Sequence, residues 1–381
     1  MQANKLYYDS PYTKNFKAHV IYCKESSGSY EIELENTAFY PEGGGQPSDI
    51  GHIGECLITH VYEKDKRIIH IGDKPLSEGS TYDAEIDWAR RFDHMQHHTA
   101  EHLVSGIIHK LHRADNVGFN IGEQYVTIDF NTELTKEAVK NIEKLANEAI
   151  YKNLPVKVEY FDTTPGFSYR SKKELSGIIR IVTIEDYDIC ACAGTQLKST
   201  GEIGIVKIIS VQKYKSGSRL YLLCGQRALE DYQVKETNIL AISALLSGKP
   251  YEAAEYVERL YEEREALKFE LLSAKYELID IKTKAFTKSD KILIFELNLS
   301  QEEMKRYIAN LLEKADIIAV FTGDDETGYR YMITNSKEPT DFPAFIKDMN
   351  TKLNGKGGGK GTAGGHIAAA KAEIEKFFDN I

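Results

Sequence analysis

The chain has 381 residues, a formal net charge of −10, 42% hydrophobic residues and five cysteines. The acidic balance argues against broad, non-specific nucleic-acid binding. No apolar run reaches the ~18 residues of a membrane span, and an odd, scattered cysteine set fits a reducing cytoplasm better than a disulfide framework. The opening MQANKLYYDSPYTK lacks the apolar middle of a signal peptide, and the length suggests two to three domains at roughly 100–200 residues each.

Residues 1–90 read as β. VIYCKESSGSYEIELENTAFY alternates around an SSG turn, and ECLITHVYEKDKRIIHIGD supplies two more short strands. A small barrel or curved sheet is expected. Residues 88–113 carry apolar positions at three- and four-residue steps, the mark of a helix. YVTIDFN (125–131) is a strand, and 135–153 is an amphipathic helix capped by Thr132 or Thr135. VKVEYFD (156–162) and IIRIVTIED (178–186) are strands, and 204–225 is a hairpin around KSGS. Residues 228–286, rich in Glu, Lys, Leu and Ala, predict long helices; a dimer seam and a solvated spacer both fit. Residues 290–381 alternate strand-length apolar runs with helices. The segment NGKGGGKGTAGG within them cannot be a helix interior, since glycine costs ~1 kcal/mol per residue there. It reads as a loop feeding a helix that resumes at about His366, with free backbone N–H groups suited to phosphate.

His98 and His102 stand at i and i+4, on one face of the 88–113 helix, the spacing at which two imidazoles grip one zinc. Alone, the pair is equally consistent with ordinary core or surface histidines. His94 extends the row but cannot share the ion, because eight residues rise ~12 Å. Thr99 occupies the position where a zincin needs glutamate. Cys192 is a third candidate ligand, and Cys190 lies two residues before it. Gly43 and Gly44, within PEGGGQ, allow close backbone approach to a ligand or another chain; a mobile loop is the plainer alternative.

FYPEGGGQPSDIG (39–51), HTAEH (98–102), GFNIGEQYVTIDF (118–130) and CAGTQLKSTGEIG (192–204) occur in that order. Together they resemble the editing domain of alanyl-tRNA synthetases and its free-standing AlaX relatives. GKGGGKGTAGGH (355–366) resembles the synthetases' C-terminal domain. The resemblance covers nearly the whole chain and implies an α+β protein of four parts: a β-barrel (1–90), an editing, metal-binding core (91–235), a helical spacer or coiled coil (236–286) and a C-terminal glycine-rich α/β domain (287–381). It implies a cytoplasmic hydrolase that deacylates mischarged tRNA(Ala), mainly Ser-tRNA and secondarily Gly-tRNA. It also implies one Zn2+ per chain, held by His98, His102, Cys192 and a fourth position where the family has histidine and this chain has Gln196. Thr37 matches a threonine that tells serine from alanine, with Gly43, Gly44 and Gln46 bordering the same pocket. Asn120 is a second departure, at a position where relatives often carry histidine. Lys356, Gly357, Gly358, Gly359, Lys360, Gly364 and Gly365 are the implied tRNA contacts. The helical spacer or the C-terminal domain could serve as a homodimer seam. The alternative is a tRNA-binding protein with an inactive site, motivated by Gln196 and Asn120.

Overall fold

A computed structural model describes residues 3–171, 177–336 and 341–380. The chain forms two compact units, Met1–Leu240 and Ala241–Ile381. The class is α+β, and no described helix is long and apolar enough to cross a membrane.

In the first unit, six strands close into a barrel: Asn15–Ser26, Ser29–Leu34, Gly51–Ile53, Cys56–Lys64, Arg67–Gly72 and Thr81–Ile86. Alternation, reset in Cys56–Lys64 by a bulge between Ile58 and His60, puts Ala18, Val20, Ile32, Leu34, Ile58, Val61, Ala84 and Ile86 inside. Ser27 and Gly28 both have positive φ (51° and 82°), as do Asp65 and Lys66 (52° and 62°). These are the two-residue turns whose twist suits a tight hairpin. The long excursion between Leu34 and Gly51 leaves the barrel and carries the PEGGGQ motif.

The site helix, Trp88–His112, starts where Asp87 accepts the Arg90 N–H (3.0 Å) and ends in a left-handed Arg113 (φ 52°). It packs with a second helix, Lys136–Tyr151, around a core that includes Leu103, Ile107, Ile128, Ile142 and Leu222. Thr135 is that helix's N-cap, accepting from Ala138 N–H at 3.1 Å. A four-stranded sheet runs in the order Val206–Tyr214, Gly217–Cys224, Val126–Phe130, Asn116–Ile121. A three-stranded sheet, Val156–Phe161, Ile179–Ile184 and Asp188–Ala191, brings the CAGTQ segment to the helix.

The excursion is fastened to the site helix by a fully buried ion pair. Arg91 Nε lies 3.0 Å from each Asp49 oxygen, Nη1 donates to Pro11 O (2.9 Å) and Nη2 to Ala38 O (2.6 Å).

Two long helices follow, Gly225–Leu245 and Ala253–Lys284. The second unit holds a five-stranded sheet, ordered Ser289–Glu296, Ala315–Asp324, Gly328–Asn335, Thr362–Ile367, Gly355–Gly358. The first two strands are parallel and the other neighbours antiparallel. The glycine segment corrects the sequence reading. It is a β-hairpin at the sheet edge, not a loop feeding a helix, and the last helix begins at Lys371 rather than His366. The reason is close packing. A Cβ on Gly357 would stand 2.4 Å from the Tyr331 hydroxyl, and one on Gly365 would stand 2.3 Å from Lys356 O. Gly358, Gly359 and Gly364 lie on the same hairpin, with Lys356 and Lys360 exposed.

Candidate metal centre

Three of the four ordered motifs, those holding Gln46, His98 with His102, and Cys192, meet. His98 Nε2 lies 3.2 Å from Cys192 Sγ, and ligand atoms of His98, His102 and Cys192 all fall within 4.8 Å of one another. His98 and His102 stack with ring centroids 5.6 Å apart. Helical spacing aligns the two rings, and the turn after Ala191 swings Cys192 against them. That turn comes very close: a Cβ on Gly194 would sit 2.0 Å from His98 Cε1, so only glycine fits.

What lies behind the rings fixes their tautomers. His98 Nδ1 is 2.9 Å from Gln46 Oε1, and His102 Nδ1 is 2.8 Å from Asp188 Oδ2. An amide oxygen and a carboxylate only accept, so each Nδ1 carries a proton and Nε2 is the atom each ring turns inward. The supporting groups are themselves held. Gln46 Nε2 donates to Thr195 Oγ1 (2.9 Å), and Arg170 grips Asp188 with bonds of 2.7 and 2.8 Å. His102 Nε2 is buried and has no hydrogen-bond partner. A buried orphan nitrogen beside a thiol, with its opposite nitrogen anchored to a carboxylate, is a donor set that fits a soft or borderline cation such as zinc. Burial would raise the Cys192 thiol, but the adjacent His98 and His102 outweigh it and hold it well below the ordinary thiol range. Burial likewise opposes, and Cys192 and Asp188 overcome, so that His102 is held well above an ordinary imidazole. A cation would replace the proton shared by that pair.

Gly43 and Gly44 serve this arrangement at one remove. Gly43 and Gln46 exchange backbone bonds of 3.0 Å in both directions, and Gly44 and Gly45 take positive φ (61° and 85°). The turn docks on the core through Ile121 N–H to Gly45 O (2.8 Å), which delivers Gln46 to His98. Gln196 is buried beside the sulfur, with its Nε2 3.8 Å from Cys192 Sγ. Its oxygen instead accepts from Thr99 O–H (2.9 Å), and Thr99 Oγ1 also accepts Leu197 N–H (3.0 Å). Cys192 lies beyond the strand's last residue, Ala191, so alternation does not relate the two cysteines, and Cys190 groups with His102 and Asp188. Asn120 is exposed on its strand.

Thr37 sits fully buried at the barrel's exit. Its Oγ1 is 2.8 Å from His70 Nε2 and accepts Phe39 N–H at 3.1 Å. His70 Nδ1 must donate to Ile32 O (3.1 Å), so Nε2 accepts the Thr37 proton. Burial pushes the His70 imidazole down to about 4 and that of His94 down to about 3. The unfolded chain takes up these protons below about pH 6.5 while the folded chain does not. Stability is therefore complete above pH 6.5 and declines as pH falls toward 4, by up to about 1.4 kcal/mol per unit for each histidine. Denaturant midpoints measured between pH 7 and 4 are expected to fall, and His70→Gln should make that fall shallower. An unchanged slope would remove His70 from the account.

Asp188, Arg170, Thr195 and Arg91 escaped sequence reading, as did the contact of Thr99 with Gln196. The one local hint was Asp188, two residues before Cys190. Glu101, the acid inside HTAEH, accepts from Ser105 O–H (2.8 Å) and from Asn116, tying the helix to the strand Asn116–Ile121.

A family profile for the threonyl and alanyl tRNA synthetase second additional domain matches residues 179–221, a span that includes Asp188, Cys192 and Gln196. Alanyl-tRNA editing protein AlaX-L of Pyrococcus horikoshii is 28% identical over 389 aligned positions, covering 97% of this chain and 96% of that protein. Alanine–tRNA ligase of Pyrococcus furiosus is 32% identical over 397 positions, 97% of this chain but only 43% of the ligase. Alanyl-tRNA editing protein Aarsd1-A of Xenopus laevis is 30% identical over 352 positions, 88% of this chain and 84% of that protein. With the motifs assembled on one donor set and a relative of this identity matched along most of both lengths, the chain belongs to the alanyl-tRNA editing protein family.

Proposed function

We propose that this protein hydrolyses the ester of mischarged tRNA(Ala), with Ser-tRNA its main substrate and Gly-tRNA a secondary one. The observation that carries this reading is the convergence of Gln46, His98, His102 and Cys192, with both Nδ1–H groups anchored so that both Nε2 atoms face the thiol. His98, His102 and Cys192 would hold one zinc ion, which when bound supplies Lewis acidity toward a carbonyl or a water. The chain's own residues do the rest. Gln46 and Asp188 hold the rings, and burial of His98 and His102 keeps bulk water away from them. Partly exposed Cys192 marks the side from which an ester arrives. Gly43 and Gly44 act by shaping the turn that carries Gln46. An aminoacyl ester is already activated, so placing it beside a water and stabilising the oxyanion suffices. Deacylation of Ser-, Gly- and Ala-charged tRNA(Ala), with metal content measured on the same sample, tests the reading. Zinc-replete protein that leaves Ser-tRNA intact would sink it.

Thr37 is the proposed serine sensor. Its proton is committed to His70, so its remaining capacity is that of an acceptor, matched to a seryl O–H and unmatched by alanine. Thr37→Val is expected to lower Ser-tRNA deacylation by about 10- to 100-fold while sparing Gly-tRNA. Equal loss on both substrates in single-turnover assays would assign Thr37 to the barrel core alone.

The hairpin carrying Lys356, Gly357, Gly358, Gly359, Lys360, Gly364 and Gly365 is the proposed contact for the tRNA body. Its outer strand leaves backbone N–H groups unpaired at a sheet edge, beside two exposed ammonium groups. Val257, Leu260, Leu267, Leu271, Leu278 and Ile281 recur at heptad spacing and are all exposed on Ala253–Lys284, which supports self-association through that helix.

A further inference from the structure

Within the trio His98, His102 and Cys192, only Cys192 is not buried, so its surroundings form the mouth of the site. Arg180 brackets it. Cys192 N–H donates to Arg180 O at 3.1 Å, and Arg180 Nη1 donates back to Cys192 O at 2.6 Å. The guanidinium lies 5.4 Å from the centroid of the Tyr8 ring, which pre-orients it. Its Nε–H is buried with no hydrogen-bond partner. Of the buried polar side-chain atoms left unpartnered among the described residues, His102 Nε2 is accounted for by the metal site. Arg180 Nε adjoins the same cysteine and has no such account. Across the sheet, Arg180 pairs in register with Tyr160, a residue 49% exposed.

A planar cation with an unmet donor, held beside an open aromatic ring, matches a single-stranded RNA end. Guanidinium suits phosphate geometry, and unstacked bases lie on tyrosine faces. We propose that Arg180 and Tyr160 seat the 3′-terminal nucleotide of the substrate: Arg180 takes the phosphate preceding the terminal nucleoside, and Tyr160 stacks on its base. This rests on the reading that the substrate is an aminoacyl ester at an RNA 3′ end, and it makes Arg180 a binding residue rather than a metal-site residue.

The test separates the two readings. Binding of uncharged single-stranded RNA ending in CCA is measured by anisotropy for wild type, Arg180→Gln and Arg180→Lys. Each is compared with an RNA whose last linkage is an uncharged methylphosphonate. Wild type is expected to prefer the phosphodiester by about tenfold. Arg180→Gln should lose that preference and lower the salt slope by about one, while Arg180→Lys retains part of it. Metal content should be unchanged in both variants. Tyr160→Ala should weaken both RNAs equally. If Arg180→Gln weakens both RNAs alike, or neither, the phosphate contact is overturned. Failure of the hydrolase reading registers separately, as intact Ser-tRNA(Ala) with the zinc-replete wild type.

Discussion

Cys192→Ala is expected to release the metal and to lower kcat/KM for Ser-tRNA(Ala) by on the order of 10²–10³-fold. The sulfur is the only anionic donor in the trio with His98 and His102, and it lies 3.2 Å from His98 Nε2. Removing it leaves two neutral imidazoles that cannot compensate for desolvating a dication. The supporting shell should give a graded version of the same result. Asp188→Asn keeps the shape but replaces the carboxylate that orients His102, and a loss of about 10- to 100-fold in metal affinity follows. Gln196→His goes the other way. Its present oxygen is taken by Thr99, so an imidazole there adds a donor beside the sulfur and slows metal release to a chelator. Metal content by mass spectrometry, read beside single-turnover deacylation, checks the series. Wild-type zinc retention in Cys192→Ala would place the metal elsewhere.

Arg91→Met should be the most destabilising single change in the first unit, at about 3–5 kcal/mol. Arg91 and Asp49 side chains are both 0% exposed. Methionine preserves volume but strands a carboxylate that also takes Tyr40 N–H at 2.6 Å. It also strips partners from Pro11 O and Ala38 O. Against a typical domain stability of about 5–15 kcal/mol, such a loss shows directly in urea midpoints. Pairing it with Asp49→Leu removes the stranded charge, so the double variant should be more stable than Arg91→Met alone. A double variant no better than the single would mean that the carbonyl contacts, not the ion pair, hold the excursion.

The helix bearing His98 and His102 was legible because its apolar residues repeat locally, and Thr135 announced the next helix as a side-chain cap. The meeting of Cys192 with the histidines came only from resemblance, since nothing local sets a contact across 94 positions. Asp188, Arg170 and Arg180 were invisible for a related reason. Their roles depend on register between strands, and register is settled by packing rather than by composition. The glycine hairpin misled because a run of glycines has no side-chain period. What decides its form is Tyr331 pressing on it from the neighbouring strand.

The Gly43–Gln46 turn also bears on when this protein becomes competent during synthesis. Gln46 precedes His98 by 52 residues, and Cys192 follows it by another 94. A nascent chain that has folded its barrel and its first long helix possesses two imidazoles and one amide, but no thiolate. On the proposed reading, metal capture would wait for the last of the three segments, and a half-made chain would stay inert toward the activated esters that surround it on the ribosome.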